Sequence, residues 1–169
     1  MLIIDTNSIL KDKNKISART AAVNGFSVFG YDHTFVLDEK LQVNLNKIKS
    51  FLEKHKKEKI FIFGFTYIIW SFFCEVLKKR NISLNLQNCI LIHGGGWKKI
   101  HEKNISNKKF KKFLKNEFNL TKVYNYYGMV EQTGSIFLEC ELCEHFVTSI
   151  FSDIILRKPD LTICKNREE

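Results

Sequence analysis

The chain has 169 residues, which bounds it to one domain or part of one. Hydrophobic residues make up 44%, enough for a packed core, so wholesale disorder is excluded. The formal net charge is +9, but only four of the 27 basic residues are Arg, and a reader of bases or phosphates is expected to use more of that planar fork; the Lys residues read as solvated faces, with no nucleic acid partner.

In chain order, Leu2-Ile3-Ile4 opens as a short apolar run with no basic stretch before it and no long apolar segment after it, so no signal peptide is expected. Residues 17–24 are helix-compatible, and Phe35-Val36-Leu37 is a short strand. Leu45, Ile48 and Leu52 fall on one side of a helix. Ile60-Phe61-Ile62-Phe63 is a continuous apolar run ending at Gly64, as a strand buried on both faces would be. Thr66 is expected to cap the next helix, which runs to about Arg80 and turns Ile69, Phe72, Phe73 and Val76 toward the core. The apolar stretch at residues 67–73 is too short to span a bilayer, so no membrane span is expected. Cys89-Ile90-Leu91-Ile92 is a second buried strand, ending in His93-Gly94-Gly95-Gly96-Trp97. Asn107 is expected to cap a basic helix carrying Phe110, Phe113, Leu114 and Phe118. Residues 123–126 form a third strand, and residues 136–139 and 153–156 are strand-like. Strand–helix alternation with solid apolar strands implies an α/β fold with a mostly parallel sheet between helix layers. Ligands of such sheets sit beyond the carboxyl ends of the strands, where three loops fall: Gly64-Phe65-Thr66, residues 93–97 and residues 126–131.

Three successive glycines at a strand end let backbone approach a flat ring or a phosphate closely, or serve a strand-to-loop turn. They match neither G-x-G-x-x-G nor a Walker A loop. Tyr127 offers a face for stacking a base, worth about 1–3 kcal/mol, or borders the core together with Tyr126. Gly128 turns the chain beside that ring, and Glu131 is either an oxygen ligand for Mg²⁺ or a solvated carboxylate at a helix start.

Asn125 to Glu131 resembles the N-x-Y-G-x-T-E element of the adenylate-forming superfamily. The wider set Ser17-Ala18-Arg19, Gly25-Phe26-Ser27, Gly30-Tyr31-Asp32-His33, Phe63-Gly64-Phe65-Thr66, residues 92–99 and residues 126–132 resembles LuxE-type acyl-protein synthetases over essentially the whole chain. The resemblance implies a partial domain over residues 1–169, the central to C-terminal part of that family's large N-terminal domain. It implies ATP and Mg²⁺ as cofactors and a fatty acid or other carboxylic acid as substrate. The acid becomes an acyl adenylate and passes to a thiol of an acyl-accepting protein, a reductase or carrier. By position, Gly94, Gly95 and Gly96 would line the adenine, Tyr127 would stack on it with Tyr126 and Gly128 alongside, and Asn125 would meet its edge. Glu131 would act catalytically as the Mg²⁺ ligand. His33 would flank the carboxylate, or be a structural histidine. Phe65, Thr66 and Trp70 would line the acyl pocket, Phe65 and Trp70 serving equally as core.

The sequence departs from that pattern in three respects. Val130 replaces the usual Thr, removing a hydroxyl contact to the α-phosphate. No Ser/Thr/Gly-rich phosphate loop is present, nor the C-terminal lysine, ribose-binding Asp or acyl-accepting Cys of the family, so a fragment or split half with a companion chain is expected. An acyl- or aryl-CoA ligase of the same superfamily differs only in its acceptor, and a basic non-catalytic binding module is the alternative from another class. The five cysteines are odd in number and widely spaced, which fits free thiols in a reducing cytoplasm. Cys140-x-x-Cys143 with His145 is either half of a zinc site, with Cys164 as a third thiolate, or a set of inert thiols.

Overall fold

The computed structural model describes residues 1–11, 17–97, 105–128 and 136–164. Seven strands form one sheet: β1 (Leu2–Thr6), β2 (Thr34–Leu37), β3 (Ile60–Phe65), β4 (Cys89–Gly94), β5 (Lys122–Tyr127), β6 (Phe137–Glu139) and β7 (Phe146–Val147), in the order β2-β1-β3-β4-β5-β6-β7. The first five run parallel, and β6 and β7 are antiparallel. Helices α1 (Ala18–Ser27), α2 (Leu45–Lys54), α3 (Thr66–Ile68), α4 (Glu75–Lys79) and α5 (Asn107–Phe118) connect them.

The apolar strands alternate between two cores, which makes the molecule three-layered. Leu2, Ile4, Ile60, Ile62, Leu91 and Val123 face one core, with Ile48 and Phe51 of α2 and Phe110, Leu114 and Phe118 of α5. Ile3, Phe63 and Tyr126 face the other, with Val23 and Phe26 of α1. This is the mostly parallel α/β sheet the apolar runs predict.

Several local expectations need correction. Thr66 is the first residue of α3 rather than its cap; Phe65 holds the cap position without a side-chain bond. Between α3 and α4 the helix widens into a π-turn over Ile69–Cys74. The wider turn shifts the buried stripe, so Ile69, Phe73, Cys74 and Leu77 are buried while Phe72 and Val76 lie at the margin. Ser106, not Asn107, caps α5, its Oγ accepting the Lys109 N–H at 3.2 Å. On α2 the expected stripe holds, with Ile48 buried and Leu45 and Leu52 half-buried against the same core, and Phe51 joins it. Residues 153–156 join no strand, and an isolated bridge between Arg157 and Ile163 is what forms there instead.

The chain steps from β1 outward to β2, then crosses back to β3 on the other side, so the order reverses beside β1 and β3. Such a reversal opens a crevice at the carboxyl ends. Near that point, at the end of β1, Asp5 is fully buried, accepts the Thr6 N–H at 2.7 Å and is ion-paired to Arg19 of α1.

Candidate functional site

Parallel pairing sets β4 and β5 side by side with His93 opposite Asn125 and Gly94 opposite Tyr126. The glycine run and the Asn-x-Tyr-Gly element therefore end at one edge of the sheet. Side-chain alternation then separates their roles.

Tyr126 points into the α1 core, where its ring lies 4.8 Å from that of Phe26 and 5.9 Å from that of Phe63. Burial pushes its phenol up to about 12. The same ring lies over Gly94, so close that a Cβ there would overlap it. Gly94 and Tyr126 are thus partners in the core: the Cβ side of Gly94 is covered, and the Tyr126 ring is buried rather than offered to a ligand. Gly95 takes the left-handed region (φ +73°) with the Phe65 ring beside it. Bare, exposed backbone is confined to Gly95 and Gly96. Tyr127 lies on the opposite face from Tyr126 and is half exposed, its ring 6.0 Å from Phe137 and 6.2 Å from Phe146. Gly128 follows, also exposed.

Below Tyr127, on the α5 face, lies a polar cluster that no local sequence signal marks. Glu139 of β6 is buried and gathers three donors: the Asn125 N–H at 2.9 Å, Asn107 Nδ2 at 2.8 Å and Lys111 Nζ at 2.7 Å. It ties the carboxyl end of β5 to the first turns of α5. His93 is buried beside Phe110, with ring centroids 4.9 Å apart. Its Nδ1 meets Thr66 Oγ1 at 2.8 Å, and that hydroxyl donates to Gly94 O at 3.0 Å. Burial, aided by the Lys111 ammonium, lowers His93 to about 3, so the ring is neutral. Among the described residues, His93 Nε2 and Asn125 Oδ1 are buried and have no hydrogen-bond partner.

The three residues expected in the acyl pocket are partly or fully enclosed by packing. Thr66 is buried beneath His93, and Phe65 turns its ring to Gly95 and Phe63. Trp70 joins an aromatic group with Trp97, Phe110 and Phe113, its Nε1 donating to Glu75 at 3.1 Å. His33 precedes β2 at the amino edge of the sheet, the edge opposite Gly95 and Tyr127. Its Nε2 faces the carbonyls of Ser27 and Gly30 at 3.0 Å each, so it braces a turn. Glu131, Met129 and Val130 lie outside the described residues. Among the described residues no group of three His, Cys, Asp or Glu side chains is placed to hold a metal. Cys140 and Cys143 sit in the turn between β6 and β7, where His145 Nδ1 meets the Cys143 carbonyl at 2.6 Å. Phe110 and Phe113 of α5 turn inward, leaving its Lys face without exposed aromatics.

The family model for acyl-protein synthetase, LuxE, matches residues 1–167. The chain belongs to the LuxE acyl-protein synthetase family. Among curated proteins and solved structures, none matches. LuxE membership places the chain among enzymes of the ligase type that use a fatty acid and transfer the acyl group to a protein partner. Among the described residues no helix is long and apolar enough to cross a membrane. His93 stands in the glycine motif without an evident role in the sequence; its signal is an imidazole at the end of an otherwise apolar strand. Glu139 and Lys111 carried no signal, because only the fold sets residues 28 apart against each other.

Proposed function

We propose that this LuxE-family chain supplies the adenine-binding edge of an enzyme that activates a long-chain fatty acid with ATP. The acyl adenylate then delivers its acyl group to a protein thiol. The observation that carries this reading is the pairing of β4 with β5, which brings exposed Gly95–Gly96 backbone and the half-exposed Tyr127 ring to one edge. Tyr127 stacks on the base and Asn125 meets its edge. Glu131 holds Mg²⁺ on the phosphates, and the ion offsets charge there when bound. The phosphate-cradling loop and the lysine that such chemistry needs are not in this sequence, and we assign them to a companion segment or chain.

Calorimetric titration with ATP tests the edge itself. Tyr127→Ala is expected to weaken ATP binding roughly 5- to 150-fold, the loss of about 1–3 kcal/mol of stacking. An unchanged affinity would remove Tyr127 from the site. Acid-dependent exchange of pyrophosphate into ATP tests the reaction: it is expected only when the companion part is present. Robust exchange by the 169 residues alone would show that part to be dispensable.

A further inference from the structure

The five cysteines carry free thiols, and they divide by reach. Cys74 and Cys89 are buried, and burial pushes both thiols up, that of Cys89 to about 12. Cys140, Cys143 and Cys164 meet solvent, and the first two share one turn. Cys140 N–H donates to His145 O at 2.7 Å and closes the β6–β7 hairpin. Inside that loop Glu144 N–H donates to Cys140 O at 3.0 Å, which winds residues 140–144 into a single helical turn, ended by Glu144 in the left-handed region (φ +58°). Residues i and i+3 of such a turn share a side, their Cβ atoms about 5–6 Å apart. A disulfide needs Cα atoms about 4.4–6.8 Å apart, so the turn itself brings Cys140 and Cys143 within bonding range. Leu142 between them is 95% exposed, so the tip of the loop projects into solvent. The turn also aims donors at one sulfur. The Cys143 N–H, the Leu142 N–H and the Cys143 thiol reach Cys140 and hold its thiol below the ordinary value, against desolvation and the Glu141 carboxylate.

We propose that Cys140 and Cys143 form a reversible dithiol–disulfide site, whose oxidation by a small disulfide of the glutathione class pins the hairpin on which Tyr127 rests. The Cys140 thiolate attacks one sulfur of the oxidant, which breaks the oxidant's S–S bond, expels one thiolate and leaves a mixed disulfide. Cys143 then loses its proton and attacks Cys140 Sγ, which expels the second thiolate. The two protein thiols give up two electrons and two protons, and the oxidant becomes two thiols. The new bond crosses the loop between two strands that support the sheet edge. Phe137 of β6 and Phe146 of β7 lie 6.0 and 6.2 Å from the Tyr127 ring. Glu139, the residue before Cys140, accepts the Asn125 N–H near the end of β5.

The test uses the full chain, reduced and then equilibrated in glutathione buffers of increasing oxidised fraction. Peptide mass spectrometry after alkylation is expected to find a Cys140–Cys143 bond, a loss of two hydrogens that dithiothreitol restores, with Cys74 and Cys89 alkylated only after unfolding. In Cys143→Ser, a change at an exposed turn, the reaction is expected to stop at a glutathione adduct on Cys140. Hydrogen exchange at residues 137–147 is expected to slow at least roughly threefold on oxidation, while β1, β3 and β4 keep their rates. A glutathione adduct on Cys140 that Cys143 leaves in place overturns the proposal, as does a bond to Cys164 instead. One equivalent of zinc ion that shields both thiols from alkylation overturns it too, in favour of a metal site. Unchanged exchange at residues 137–147 in the fully oxidised chain overturns the pinning.

Discussion

A methyl group on Gly94 would have to share space with three carbons of the Tyr126 ring. Neither can retreat, because that ring is wedged against Phe26 and Phe63. Gly94→Ala is therefore expected to cost about 1–3 kcal/mol in urea unfolding, and Tyr126→Leu on that background to recover part of it. His93 sets a pH dependence of its own. Its folded value is about 3 against an ordinary 6.5, so between these values the unfolded chain binds a proton that the folded one does not. Stability is therefore expected to fall on acidification through that window, with a limiting slope of about 1.4 kcal/mol per pH unit, and to level off below it. His93→Gln, whose amide still donates to Thr66, is expected to flatten the urea midpoint between pH 6.5 and about 4.5, above the carboxylate range. Asp32, held down to about 2 by Lys54 and His55, adds a separate loss as pH falls below about 4.

At the scale of elements, α5 shows how a helix start and a strand end are bound together. Ser106 caps the helix, so Ser106→Ala is expected to cost about 1 kcal/mol. Asn107, freed from capping, reaches Glu139 together with Lys111. Removing Lys111 leaves a carboxylate that is 2% exposed without its counter-charge. Lys111→Met is expected to destabilise by on the order of 2–3 kcal/mol, at or below the lower limit for buried pairs because Lys111 is itself partly exposed. Adding Glu139→Gln is expected to return part of that loss, since a neutral amide still accepts the Asn125 N–H; a double-mutant cycle measures the coupling. The π-turn over Ile69–Cys74 has no sequence signature, because the residues that build it would suit an ordinary helix equally well. The strand-like run at residues 153–156 fails for the opposite reason: its apolar residues find no neighbouring strand, and Ile154, Ile155 and Leu156 remain exposed.

Over the whole molecule, stability is unevenly distributed. β1, β3 and β4 lie mid-sheet between two cores, whereas β7 has two residues, both exposed. Beyond it Ile150 and Phe151 are each at least 90% exposed. Native-state hydrogen exchange is expected to find the slowest amides in β1, β3 and β4 and the fastest at residues 146–164, opening well below the global unfolding free energy. Equal protection throughout would contradict this distribution. The same scale decides the fate of His33. In sequence it shares a motif-rich stretch with residues matched to the family, yet β2 starts immediately after it, so it belongs to the amino edge while the loops at Gly95 and Tyr127 belong to the carboxyl edge.

The strands of the parallel core were legible from the chain alone, since a strand covered on both faces must be apolar throughout and few other elements of that length are. The edge carrying the glycine run and Tyr127 was legible for the same reason, because strand direction in a parallel sheet sets which loops share an end. Which of Tyr126 and Tyr127 enters the core, whether Gly94 is open or covered, and which donors surround Glu139 depended on packing between segments 14 to 100 residues apart. Local preference is silent on such contacts. They are settled when side chains on neighbouring strands and helices compete for the same volume and the same hydrogen bonds.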